Sequence, residues 1–390
     1  MAVAAAAVAA LAACSNGSSN SSSGGLGSGS SSGNASSNQT YKIGFHGALS
    51  GDNQQLGINI VNAAELAVKQ ANAKGDLGFK LELVKSDDGG TADKSPAAAA
   101  ALIQDPGVVG IVGPIFSGPT KAVGTTYAQA GMALISPSAT NPTLTSSGFT
   151  TFHRIVPTDS VEGIEAADWL AQKAKKVFVI DDTTEYGKGA GDVVRQELQT
   201  KGVTPTNQSV PQSTQDYGAV AQAVVSSGAE AMFYGGYDAQ AALLAKALQA
   251  AGYKGIAMSG NGAKSSVFVQ NSGAAGNGFY FSCGCLDATV APQAKDFTAA
   301  YKKEFNVDPS TYSPEGYDAA NALIQAIKDA KKSGKVTRQS VEDAVQKLDY
   351  KGITTTIKFQ SNGEVEQQVI NLYQEKNGVI TLVGDIKKAS

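Results

Sequence analysis

Past Tyr41 the chain alternates short apolar runs with longer segments of helical period. The runs Lys42 to Phe45, Lys80 to Val84, Val108 to Val112 and Ala133 to Ser136 are separated by Leu56 to Ala73, Pro96 to Gln104 and Pro119 to Ala130, which repeat apolar residues at i, i+3 and i+4. Short apolar runs read as strands of a parallel sheet covered on both faces, and the longer segments read as helices with one buried stripe. After Thr158 the pattern starts again, with strands at Lys176 to Asp181, Ala231 to Tyr234, Gly255 to Met258 and Phe279 to Ser282, and helices at Val161 to Ala174, Gly189 to Lys201, Gly218 to Ser227 and Gln240 to Ala251. Such repeated βαβ units predict α/β architecture: two doubly wound, Rossmann-like parallel-sheet domains of similar plan. The competing arrangement is one large continuous sheet. Ala291 to Leu348 reads as mostly helical, and Thr354 to Phe359 and Val369 to Tyr373 as late strands, one recruited to each sheet, so that the chain crosses between domains more than once.

The N-terminus has a different pattern. Ala2 to Ala13 is an unbroken apolar run of 12 residues. A bilayer span needs roughly 20, whereas a run of this length suits a signal-peptide core. The run ends in Leu11-Ala12-Ala13-Cys14, which resembles a bacterial lipobox, cut before the Cys and acylated there. The first charge is Lys42; since a signal normally carries a basic n-region, a start upstream of Met1 is expected. From Ser15 to Asn38, 22 of 24 residues are Ser, Gly or Asn, a composition that buries nothing and predicts a flexible tether. The expected layout is a signal peptide over 1–13, a lipidated Cys14 and tether over 14–39, and a soluble body beyond.

Composition narrows the chemistry. The chain of 390 residues has 31 Lys and Arg against 34 Asp and Glu, so no basic excess exists to neutralise phosphates, and nucleic acid is excluded as a partner. Its 2 His and 3 Cys form no cluster at metal-ligand spacing. Gly260-Asn261-Gly262-Ala263-Lys264-Ser265 lacks the spacing of a phosphate loop, no dinucleotide fingerprint follows the first strand, and the body has no Gly-x-Ser-x-Gly elbow. No metal, cofactor or enzymatic activity is expected. Cys283-Gly284-Cys285 sits just past a strand; it is either a disulfide, which needs Gly284 to let the backbone bend, or two free thiols.

Ligands of open α/β sheets sit at the carboxyl ends of strands, where helix N-termini present unpaired N–H groups. Three strand ends carry unusual loops. Val112 runs into Gly113-Pro114-Ile115-Phe116-Ser117-Gly118-Pro119-Thr120, Ser136 into Pro137-Ser138-Ala139-Thr140-Asn141-Pro142, and Tyr234 into Gly235-Gly236-Tyr237-Asp238.

Together with Gly47-Ala48-Leu49-Ser50-Gly51 and Glu185-Tyr186-Gly187, these loops resemble the leucine/isoleucine/valine-binding protein family of ABC transporters, with its type I periplasmic binding fold, over Tyr41 to Val383. The resemblance implies two lobes joined by a multi-crossover hinge, 40–158 plus 288–367 and 159–287 plus 368–390. It implies that Ser117, Ser138, Ala139 and Thr140 hold the carboxylate and amino group of an amino acid, that Tyr186 and Tyr237 close over it, and that Phe116 and Leu56 line an apolar side-chain pocket. In one respect the sequence departs from the family: where amino-acid binders carry a Glu against the ammonium, this chain has the neutral Asn261. Either Asp238 supplies the charge, or the ligand is an amide, urea or small carboxylic acid. The function implied is that of an exported, lipid-anchored, monomeric solute-binding protein on the outer face of a bacterial cell membrane, delivering an apolar amino acid to an ABC permease. A ligand sensor of the same fold is the alternative.

Overall fold

The computed structural model describes residues 39–366 and 369–389. The apolar N-terminal run, Cys14, the tether and the lobe boundary at 367/368 lie outside the described residues.

Five strands, β1 (Thr40–Gly47), β2 (Lys80–Asp87), β3 (Val108–Val112), β4 (Ala133–Ser136) and β5 (Phe152–Arg154), form a parallel sheet in the order β2-β1-β3-β4-β5. Helices α1 (Gln54–Lys74), α2 (Ser95–Gln104) and α3 (Ser117–Gln129) connect its first four strands. After α4 (Asp159–Lys173) come β6 (Val177–Asp181), α5 (Glu185–Thr200), β7 (Thr206–Ser209), α6 (Gly218–Ser226), β8 (Ala231–Gly235), α7 (Asp238–Ala250), β9 (Ile256–Ser259), α8 (Ser266–Ser272) and β10 (Tyr280–Cys283). Then follow α9 (Lys295–Phe305), α10 (Ser313–Lys332), α11 (Arg338–Val345), β11 (Tyr350–Lys351), β12 (Thr356–Ile357), β13 (Asn371–Lys376) and β14 (Val379–Asp385). The second sheet has the order β14-β13-β10-β9-β8-β6-β7. Its first five strands in sequence are parallel, and β13 and β14 extend it antiparallel. Strands β3, β4, β6 and β8 are buried at every position, as their apolar composition requires. Helices α10 and α11 return to the first sheet, α10 against α1 and both against β3 and β4.

The late strands depart from expectation. Only the second enters a large sheet, as β13; Thr354 to Phe359 shrinks to β12, which pairs with β11 away from both sheets. Just before β12, the Asp318 carboxylate accepts from Ile353 N at 3.0 Å and Thr354 N at 2.8 Å, so these two donors are answered without a ladder. The edge strand β7, Thr-Asn-Gln-Ser, and the three-residue β5 had no apolar run to announce them.

The β5 strand places Arg154 wholly inside the first sheet's edge. Its Nε and Nη2 donate to Glu364 at 2.9 and 2.6 Å, and its Nη1 donates to the carbonyls of Ala139 at 2.9 Å and Asn141 at 2.8 Å. The chain near Glu364 lies close because Gly363, at φ +86, has no side chain; a Cβ there would sit 2.1 Å from Phe152 O. One guanidinium therefore ties the C-terminal segment to the loop after β4. Cys283 and Cys285 are bonded, with Cα atoms 5.1 Å apart, and Gly284 between them lies against Pro157.

Breaking one half of a buried ion pair leaves an uncompensated charge, so Glu364→Leu should cost about 3–5 kcal/mol in chemical denaturation. The double variant Arg154→Met/Glu364→Leu should cost clearly less than the sum of the two single changes; strict additivity would show that the pair acts as two independent residues.

Candidate ligand-binding site

In the first sheet the neighbours of β1 are β2 and β3, and in the second those of β6 are β7 and β8, so each sheet has a point where successive connections leave toward opposite faces. Loops diverge there and open a crevice. Phe116 and Ser117 follow β3, Tyr186 follows β6 and Tyr237 follows β8, so the two crevices supply the same cluster. Phe116 is extended at the start of α3 and meets Tyr237 edge-on, centroids 5.1 Å apart; Tyr237 meets Tyr186 at 5.1 Å. Side chains from both sheets thus touch across one gap. Two polar contacts also cross it: Asn141 Nδ2 donates to Glu185 O at 2.7 Å, and Lys121 pairs with Glu185 at 2.9 Å.

The residues implied by resemblance have distinct surroundings. Ser117 Oγ accepts from Asn141 N at 3.2 Å, leaving its own hydrogen available. Ser138 Oγ donates to Ile115 O at 2.7 Å and so ties the two loops together. The Ala139 backbone is occupied at both ends, its N–H donating to Ser136 Oγ at 3.0 Å and its carbonyl accepting from Arg154. Thr140 is buried, and its Oγ1 faces the Asp159 carboxyl short of a well-formed hydrogen bond. Tyr186 is buried and its hydroxyl accepts from Gly262 N at 3.0 Å. Leu56 is buried in the same apolar cluster as Phe116 and Tyr237.

Two of the proposed polar contacts are already engaged. Asp238 does not face the gap as a free charge: its Oδ2 accepts from Ser265 Oγ at 2.5 Å and its Oδ1 from Ala239 N at 2.8 Å, so it joins the starts of α7 and α8. Asn261 donates from N and Nδ2 to Glu162, both at 2.8 Å, and its Oδ1 accepts from Tyr312 OH at 2.7 Å. His46 is likewise interior, between Tyr127 OH at 2.8 Å and Asp88 at 3.1 Å.

Asp159 and Glu162, in the first turn of α4, were not singled out from the sequence. Glu162 holds the Asn261 loop and also accepts from Ser282 Oγ at 2.9 Å. Asp159 is 1% exposed, its N–H donates to Thr140 O at 2.9 Å, and its Oδ2 has no hydrogen-bond partner. Its carboxyl acts through space on Tyr186, Tyr237 and Tyr312, and the Thr140 side chain lies beside it. Desolvation, then the neighbouring Glu162, push Asp159 up to about 8 against the Thr140 hydroxyl and the Arg154 charge; desolvation pushes Glu162 up to about 7 against its bonds from Asn261 and Ser282. The only signal in the sequence was Asp and Glu at a helix start, which ordinarily serves the helix dipole.

Both carboxyls hold a proton more tightly in the folded protein than in the unfolded chain, where the ordinary value is near 4. Their contribution is therefore complete below about pH 4 and lost as pH rises through about 7 to 8. Without ligand, the melting temperature should fall across that window, and Asp159→Asn should flatten the fall; an unchanged slope in the variant would remove Asp159 as its source.

The model of the periplasmic binding protein family matches residues 40–378. The Leu/Ile/Val-binding protein homolog 3 of Brucella melitensis is 28% identical over 345 residues, covering 87% of this chain and 92% of that protein. Among solved structures, the branched-chain amino acid transporter substrate binding protein LivJ of Streptococcus pneumoniae, in complex with isoleucine, is 25% identical, with a TM-score of 0.80 over 89% of this chain and all of that one. The leucine binding protein LivK of Thermotoga maritima shares the fold at a TM-score of 0.81 and 24% identity, covering 88% of this chain and 97% of that one. With two α/β sheets meeting at their switch points and this match across both, the chain belongs to the periplasmic binding protein family, has its type I fold, and is a binding protein and not an enzyme.

Proposed function

We propose that this protein is the extracytoplasmic solute-binding component of an ABC importer and that its ligand is an α-amino acid with an apolar side chain. The observation that carries this reading is the pair of buried oxygens Asp159 Oδ2 and Thr140 Oγ1, which face each other without a well-formed hydrogen bond, within electrostatic reach of Tyr186 and Tyr237. A buried carboxylate with so little compensation is costly, and an ammonium answers both oxygens at once. The Ser117 hydroxyl and the free N–H groups that open α3 suit the ligand's carboxylate. Phe116 and Leu56 suit an apolar side chain. Asp159 takes the part expected of Asp238, and Glu162 and Asn261 act behind it as positioning residues.

In this reading the first sheet with 40–158 and 288–367 forms one lobe, and the second sheet with 159–287 and 368–390 the other. Ligand binds the Ser117 and Thr140 side first, and closure brings Tyr186 and Tyr237 over it. The protein works as a monomer, held outside the membrane by acylated Cys14, and its closed form docks on a permease. That the relatives include a Leu/Ile/Val-binding protein and an isoleucine complex supports this ligand class. A second reading rests on the same carboxyl: with its proton retained to about pH 8, Asp159 can donate to an amide or a carboxylic acid instead.

Thermal unfolding against branched-chain and aromatic amino acids, their amides, and the matching acids without the amine separates the two. A ligand at a hundredfold excess over its Kd stabilises the native state by about 2.7 kcal/mol, a shift of a few degrees. We expect shifts only with amine-bearing ligands, larger at pH 8 than at pH 6 because the ammonium requires ionised Asp159, and lost in Asp159→Asn. Equal shifts from acids lacking the amine would replace this reading with the second.

A further inference from the structure

A cavity of about 370 Å3, lined by none of Phe116, Tyr186 and Tyr237, lies where the segments after β9 and β10, the segment before α10 and the β13–β14 turn converge. Lys264 lines it with its side chain buried, only 6% exposed as a residue. Its ammonium has three N–H groups and few acceptors: Thr311 Oγ1 at 3.4 Å, at the long end for a hydrogen bond, and the face of Tyr373, 4.2 Å below. The Thr311 hydroxyl itself donates to Lys264 O at 2.5 Å, which fixes its lone pairs toward the ammonium.

The nearest acidic groups, Asp287 and Glu315, act on Lys264 only through space. Asp287 is folded back on its own turn, accepting from Thr289 N at 3.0 Å and Thr289 Oγ1 at 2.6 Å. Glu315 accepts from Leu286 N at 2.7 Å. Burial weakens the hold of Lys264 on its proton; beside this cavity and without a direct counter-ion the ammonium is unfavourable by itself and favourable once an anion enters. The rest of the wall selects among anions. Val269, Leu286 and Ile380 give it an apolar side, which suits an organic body, and the Asp287 charge disfavours a dianion such as phosphate.

We propose that this cavity is a second ligand site, taking a small organic monocarboxylate whose carboxylate pairs with Lys264 and whose apolar body lies on Val269, Leu286 and Ile380. The site is separate from the amino-acid cleft and does not depend on what that cleft binds. Its lining includes the chain crossing at Asp287 and Ala288, so an occupant contacts one of the segments about which closure would occur.

The test uses 4-methylpentanoate, an apolar acid without an amine, with saturation-transfer NMR on the whole protein and three variants. Lys264→Met removes the charge, Val379→Trp obstructs the cavity from its exposed rim without touching the core, and Thr140→Ala alters the cleft. Saturation transfer should persist in Thr140→Ala and be lost in Val379→Trp, with affinity about tenfold weaker in Lys264→Met, the scale of one charge-assisted hydrogen bond. Transfer that survives both Lys264→Met and Val379→Trp but vanishes in Thr140→Ala would assign the acid to the cleft and overturn the proposal. So would no transfer to the wild-type protein. Because Val379 is exposed, a folding defect in Lys264→Met alone leaves the test intact.

Discussion

The candidate site depends on a single buried guanidinium. Arg154 is held at one end by Glu364 and with its other nitrogen grips the carbonyls of Ala139 and Asn141. Those carbonyls belong to the loop carrying Thr140, whose own carbonyl receives the first N–H of α4. A loop of this composition, with Pro at both ends and small residues between, has few side chains to bury and would otherwise be fixed weakly. Arg154 supplies the rigidity from below, in a place where water does not compete, and its planar fork suits two acceptors and a carboxylate at once.

From that anchor the geometry builds outward. Asn141, its carbonyl fixed by Arg154, uses its N–H on Ser117 Oγ and its side chain on Glu185 O, so one residue aligns the loop after β3 and reaches the start of α5. On the far side, Glu162 does comparable work, receiving both N–H groups of Asn261 while Tyr312 closes the other end of the amide. Between these two rigid frames lie the groups that remain uncommitted, Thr140 Oγ1 and Asp159 Oδ2.

The sequence made the alternation of strand and helix legible, because strands buried on both faces are necessarily apolar throughout. It also made the loops holding Phe116, Ser117, Thr140, Tyr186 and Tyr237 legible, because each follows such a strand directly. Edge strands were hidden: Thr206 to Ser209 packs little and so carries no pattern. Asp238 and Asn261 were visible as polar residues at strand ends, but Ser265, Glu162 and Tyr312, which occupy them, come from 27 to 99 residues away. Asp159 was obscured by the opposite effect. An acidic residue at a helix start has a local explanation, and only burial without a partner reveals another.

The loop around Asn261 has glycine on both sides. A Cβ on Gly260 would come within 2.8 Å of Tyr186 OH, and one on Gly262 within 2.6 Å of the Tyr186 ring and 2.9 Å of Gly236 O. Neither flank can accept a side chain while Tyr186 stays in place. Within this loop, change in descendants of this protein is therefore confined to position 261, and because Asn261 and Glu162 satisfy one another, it involves both together. A single-nucleotide path to altered selectivity is narrow here, and compensated pairs at 162 and 261 are the variation to seek among its descendants.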